Sequence, residues 1–127
     1  MKHIIKKTEI VMHNYKELLV WKKSVSFATD VYNGTKTFPK IERYGITSQI
    51  RRIVISISSN IAEGAGRSGI KEFRYFLNMA YGSSFELETQ LIISKNLEYL
   101  SELKFNQLLA DLIIIQKMLY KLIKSLE

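Results

Sequence analysis

The apolar residues of this chain recur at helical spacing from about residue 15 to its end. In the stretch 44–67 a single stripe repeats every three or four positions, the period of a helix packed in a bundle. The stripe consists of Ile46, Ile50, Ile53, Ile57, Asn60 and Gly64. We expect the polar Asn60 to be buried and to fix the register of this helix by hydrogen bonding. The pattern predicts a core helix around which the others pack.

One further helix is predicted before this one in the chain and another is predicted after it. The first covers about residues 15–35, with Asn14 suited to its N-cap and its end near Asn33 and Gly34. Its predicted core stripe is Leu18, Trp21, Val25, Ala28 and Tyr32. The next helix covers about residues 69–97, and we expect Gly82 within it to allow close approach of a neighbouring helix. Its predicted core face is Phe73, Phe76, Leu77, Ala80, Leu87, Leu91 and Ser94.

A last helix, of about residues 102–125, follows a capping residue, Ser101. Its predicted core stripe is Phe105, Leu108, Leu112, Ile115, Leu119, Leu122 and Leu126. Four helices joined by short connections, without alternating strand patterns, predict an all-α, up-down-up-down antiparallel four-helix bundle. We expect residues 14–127 to form this single domain, while residues 1–13 show no period and are an unassigned N-terminal arm.

Some apolar residues fall outside the predicted core stripes. Ile55 points away from the stripe of its helix, and Ile113, Ile114 and Tyr120 lie off the stripe of the last helix. An isolated bundle would leave these side chains in water. They therefore predict a subunit interface and a homo-oligomer.

The positive charge is concentrated in the middle of the chain. The formal net charge is +7, and residues 36–74 hold eight Lys/Arg against three Asp/Glu. Clustered positive charge favours a polyanion such as RNA or DNA, although a solvated basic surface has the same composition. The candidate contacts are Lys36, Lys40, Arg43, Arg51, Arg52, Arg67, Lys71 and Arg74. Tyrosines and Trp21 could also stack on bases, but most aromatic residues in a bundle belong to the core or to interfaces.

The segment Gly64–Gly69 matches the GxGxxG pattern of dinucleotide-binding proteins. That pattern requires a preceding strand, whereas these glycines follow a helix and so predict a turn. The same turn also offers a weaker phosphate site, in which Ser68 caps the following helix and its free amides lie beside Arg67 and Lys71.

Catalytic and metal chemistry find little support in the residue types present. Cysteine is absent, and the two histidines, His3 and His13, precede the predicted bundle. This argues against thiol catalysis, a Ser/His/Asp arrangement and a di-iron site, so we expect a non-enzymatic protein without metal or cofactor. Glu63, Glu86 and Glu88 are interpreted as partners of basic residues. No signal peptide or membrane-spanning run is present, and a cytoplasmic location is expected.

Three short motifs carry a family resemblance: SQIRR at 48–52, SNIAEG at 59–64 and GSSFELETQ at 82–90. Over about residues 15–123 the chain resembles the four-helix-bundle proteins encoded by intervening sequences of bacterial 23S rRNA genes. That family looks related to the accessory variability proteins of diversity-generating retroelements, which form pentamers, bind nucleic acid through basic surface and contact a reverse transcriptase. The resemblance implies a homopentamer without known catalytic residues. Its matched motif positions are Gln49, Arg51, Arg52, Asn60, Glu63, Gly64 and Glu86.

Two functions remain open from the sequence. The first is a basic oligomer that binds RNA or DNA through phosphate contacts with little base readout. The second is a scaffold that docks an acidic protein or a nucleic-acid enzyme such as a reverse transcriptase. Salt-dependent binding of generic RNA would favour the first, because the same Lys/Arg surface serves both.

Overall fold

Four α-helices make up most of residues 14–127, which are the part of the chain that the computed structural model describes. They are α1 (Leu19–Gly34), α2 (Ile46–Ala65), α3 (Ile70–Asn96) and α4 (Glu102–Ser125), with 3-10 turns at Tyr15–Glu17 and Lys40–Glu42. Each helix packs against the next along the chain, and α4 returns to α1. This confirms the predicted up-down-up-down four-helix bundle. The predicted arm, residues 1–13, and both histidines lie outside the described residues.

The core of α1 differs from the predicted stripe. Its buried residues are Val20, Ser24, Phe27 and Val31. Of the predicted stripe, Leu18 is buried, just before the helix begins. Trp21, Ala28 and Tyr32 are only half-buried and Val25 is exposed, so the stripe predicted within α1 was wrong. The buried residues have the same helical spacing, but the polar Ser24 among them makes this stripe harder to recognise as a core face from the sequence. The Ser24 hydroxyl is satisfied inside its own helix, where it donates a 2.7 Å hydrogen bond to the Val20 carbonyl.

The apolar stripe of α2 is buried as predicted from Ile50 onward, except at its polar member, whereas Ile46 in the first turn is half-buried. Ile50, Ile53, Ile57 and Gly64 are buried. Asn60 is only half-buried, and its amide donates to the Ser56 carbonyl of its own helix at 2.8 Å. A hydrogen bond within one helix cannot fix the position of that helix relative to its neighbours, so the predicted register role of Asn60 was wrong.

Close packing of α2 on α3 occurs at Gly64 rather than at Gly82. A Cβ atom added at Gly64 would lie 2.7 Å from the Phe76 Cβ and 3.2 Å from the Phe73 carbonyl oxygen. These distances are too short for non-bonded carbon and oxygen atoms, so this contact requires glycine. Gly82 is exposed and a Cβ added there would meet nothing within 4 Å, so its predicted close approach does not occur within the bundle.

The core faces of α3 and α4 follow the predictions with small shifts. In α3 Phe76 is half-buried and Ser84 takes a fully buried position, while in α4 Leu122 is half-buried and Ile123 is buried. In α3 Ser84 fills the gap that the predicted face left between Ala80 and Leu87. In α4 the stripe moves by one position near its end, within the breadth of an apolar helix face.

The helix ends are capped in different ways. Ser101 caps α4, since its hydroxyl accepts a hydrogen bond from the Lys104 amide at 3.1 Å, as predicted. Asn14 instead caps the first 3-10 turn by accepting from the Lys16 amide, and α1 begins five residues after it. Gly69 precedes α3 without a side-chain cap, so the predicted cap by Ser68 was wrong while the glycine turn is confirmed.

Candidate nucleic-acid interface

The eight basic candidates fall into two groups near opposite ends of α2. The first group, Lys36, Lys40, Arg43, Arg51 and Arg52, lies at the junction of α1 and α2, and the second, Arg67, Lys71 and Arg74, lies at the turn into α3. Fifteen residues separate Arg52 from Arg67, which corresponds to roughly 22 Å along a helix. The sequence predicted a single positive field. In the structure the basic residues form two separate groups.

Three residues of the first group line a cleft with a volume of about 410 Å³. We call it the arginine cleft, and its wall is formed by Tyr32, Arg43, Tyr44, Thr47, Ser48, Arg51 and Arg52. It lies where the first turns of α2 meet the last turn of α1. The short connection between these helices, with Pro39 ahead of the second 3-10 turn, brings the residues together.

Arg51 is a fixed part of the cleft wall. Its Nε donates to the Thr35 Oγ1 at 2.9 Å and its Nη2 donates to the Tyr32 carbonyl at 3.2 Å. The guanidinium carbon also lies 4.7 Å from the centre of the Tyr32 ring. Arg51 thus satisfies a carbonyl at the C-terminus of α1, where the helix dipole favours a positive charge.

Arg43 and Arg52 are exposed at the cleft. Within residues 14–127 neither has a carboxylate oxygen within salt-bridge distance. The Glu42 carboxylate is engaged elsewhere: it accepts from the Ile46 amide at 3.3 Å and from the Tyr99 hydroxyl at 2.9 Å. The cleft therefore carries positive charge that the described residues do not compensate.

The Tyr99–Glu42 hydrogen bond stabilises the end of the bundle at which the arginine cleft lies. It joins the connection after α3 to the second 3-10 turn. The bond, burial and the nearby negative charge of the carboxylate all raise the pKa of Tyr99 above its usual value near 10.

Thr47 is the polar residue of the cleft that lacks a partner. Its side chain is 8% exposed, and its Oγ1 has no hydrogen-bond partner within the described residues. A buried hydroxyl without a partner is destabilising, by about 1–3 kcal/mol. This oxygen has almost no solvent-accessible surface, so it is not open to a ligand in the cleft.

The second basic group is largely engaged. Arg67 forms a 2.8 Å ion pair with Glu63 and lies 5.0 Å from the Phe76 ring, and Arg74 donates to the Leu126 carbonyl at 3.4 Å. Lys71 is exposed and has no salt bridge to the residues described. This turn is therefore a weaker candidate for anion binding than the arginine cleft.

The motif residues serve mainly to join helices. The Gln90 amide donates to Gln49 at 3.3 Å, linking α3 to α2. Glu63 pairs with a basic residue as predicted, whereas Glu88 accepts from the amide of Gln116 at 2.8 Å instead of pairing with one. Glu86 is exposed.

The predicted interface residues are partly exposed, on two sides of the bundle. Ile113 and Tyr120 line a groove of about 290 Å³ between α3 and α4. Ile55 lies one turn after Arg51, on the flank of α2 that faces α1. Ile55, Ile113, Ile114 and Tyr120 are 44%, 37%, 46% and 50% exposed.

Neither a metal cluster nor a membrane span is found in residues 14–127. No group of three or more His, Cys, Asp or Glu side chains is placed to hold a metal ion there. None of the helices α1–α4 is long and apolar enough to cross a membrane.

The sequence matches the family described as 23S rRNA-intervening sequence protein over residues 16–121. The chain belongs to this family. A similar solved structure is the 1.70 Å crystal structure of a protein with unknown function from the S23 ribosomal protein family of Bacteroides thetaiotaomicron VPI-5482. It is 28% identical with a TM-score of 0.78, and the match covers 84% of this chain and 96% of that one. No curated protein matches the sequence.

Proposed function

We propose that this protein is a non-enzymatic nucleic-acid-binding protein that contacts phosphate through basic residues with little base readout. The observation that carries the proposal is the arginine cleft. There Arg43 and Arg52 are exposed without carboxylate partners in residues 14–127. A net charge of +7 on 127 residues adds long-range attraction for a polyanion.

The test is a titration of labelled RNA and DNA at several salt concentrations. Wild type is compared with Arg43→Ala/Arg52→Ala, with Arg67→Ala/Lys71→Ala, and with a control, Lys16→Ala/Lys22→Ala. The control removes the same charge from two exposed lysines, one in the first 3-10 turn and one in the first turn of α1. Log affinity falls linearly with log salt, and each lost phosphate contact lowers the slope by about 0.7 for single strands or 0.9 for duplex DNA.

We expect the cleft variant to lose the most affinity and the most slope. Equal losses in all three variants would show that binding depends on overall charge and would refute the cleft. Failure of the wild type to bind at low salt would refute nucleic-acid binding. The protein-docking scaffold, with an acidic partner or a reverse transcriptase, would then be the better hypothesis.

We also propose that the binding unit is a homo-oligomer, with a pentamer as the expected size from the family resemblance. Support comes from the half-exposed apolar side chains on two sides of the bundle, such as Ile55 and Tyr120. Burying a large apolar side chain contributes about 1.5–3 kcal/mol. Light scattering across a micromolar dilution series tests this, and a constant mass near 14.8 kDa would refute it.

A further inference from the structure

Tyr44 is an unusual residue of the arginine cleft, because its ring is both large and exposed. It is 85% exposed, although it stands next to the first turn of α2. The guanidinium carbon of Arg43 lies 5.5 Å from the ring centre. An aromatic ring held beside a cation and open to solvent is suited to stacking on another planar group.

We propose that the cleft holds one unpaired nucleotide of a single strand, with its base stacked on Tyr44 and its phosphate contacted by Arg43 and Arg52. The inference rests on the proposed nucleic-acid binding and specifies which form of nucleic acid is bound. Bases inside a duplex are already stacked and cannot reach a tyrosine ring in this way. The cleft therefore distinguishes single strands from duplexes without reading their sequence.

The remaining walls of the cleft fit the same ligand. Its volume of about 410 Å³ is within the range of about 300–1,000 Å³ that small-molecule sites occupy. Arg51 is held by Tyr32 and Thr35, so this wall is already formed before any ligand binds.

The experiment compares a labelled U10 RNA and a dT10 DNA with a ten-base-pair duplex at several salt concentrations. Tyr44→Ala should weaken binding of both single strands about tenfold, since one stacked base contributes roughly that factor or more. Duplex affinity and the salt slope should not change. Tyr44→Phe should restore single-strand binding, because the ring is retained. Tyr75→Ala is the matched control, since Tyr75 is an exposed tyrosine of α3 outside the cleft.

Equal effects of Tyr44→Ala on single strands and duplex, or no effect on either, would overturn this inference and leave phosphate binding intact. Absence of binding by the wild type to all three probes would overturn both proposals.

Discussion

Replacing Gly64 by alanine tests how closely α2 packs on α3. The substitution has two opposing effects on the free energy of unfolding, a gain in helix propensity and a steric cost. Alanine is the better helix former, which favours the variant by about 1 kcal/mol. The new methyl group would lie 2.7 Å from the Phe76 Cβ and 3.1 Å from the Phe73 Cδ1. The Phe76 Cβ is fixed to the backbone, so relief requires the helices to move apart.

Forcing an extra methyl group into a packed interior costs about 1–3 kcal/mol. After the gain in helix propensity, Gly64→Ala should lower the free energy of unfolding by about 1 kcal/mol. Gly82→Ala makes the same chemical change inside α3, where an added Cβ meets no atom within 4 Å. It should raise the free energy of unfolding by about 1 kcal/mol, from propensity alone.

Urea denaturation of both variants, followed by circular dichroism at one protein concentration, measures the two effects. The propensity terms cancel in the difference between the variants, which leaves the steric cost of about 1–3 kcal/mol. A difference below about 0.5 kcal/mol would refute the close approach at Gly64. Destabilisation by Gly82→Ala would show that another subunit packs on that position.

Three further predictions follow from the ends and faces of the bundle. Arg51→Ala should destabilise the fold by about 1–3 kcal/mol in urea, because the C-terminus of α1 loses the two hydrogen bonds that tie it to α2. Arg52→Ala should leave stability within about 0.5 kcal/mol. Tyr99→Phe should lower the free energy of unfolding below pH 10, because the hydrogen bond to Glu42 is lost. Since the pKa of Tyr99 is raised in the folded state, the difference in stability from wild type should disappear as pH rises through that pKa. Urea titrations from pH 8 to 11 measure it. Ile55→Asp and Tyr120→Asp should each lower the oligomer mass, and a mixture of the two should form dimers by light scattering if the two faces bind each other.

Helical periodicity predicted the four helices because each buries a continuous apolar face. It failed in α1 because two stripes of that helix have helical spacing. The predicted stripe, containing Trp21 and Val25, is half-buried or exposed within the helix, while the buried stripe contains the polar Ser24. A serine bonded to its own helix can occupy a core position, which hydropathy alone does not indicate.

The candidate site was only partly predictable. Charge clustering identified Arg43, Arg51 and Arg52, but it could not show that Arg51 is tied to α1 by hydrogen bonds. Thr47 was missed, although it precedes Arg51 by four residues and therefore lies one turn away on the same side of α2. Its lack of a partner depends on tertiary contacts, which the sequence does not show.

The positions of the exposed apolar residues bear on how copies of the chain could assemble. In a bundle whose helices contact one another in the order α1, α2, α3, α4, the α1–α2 side is opposite the α3–α4 groove. Ile55 belongs to the first side and Tyr120 to the second. A two-fold interface uses one patch twice, whereas two different patches suit head-to-tail contacts, which close into a ring when the rotation allows. A ring would repeat the arginine cleft at equal intervals, so one long strand could occupy several clefts and bind more tightly than a strand that reaches only one.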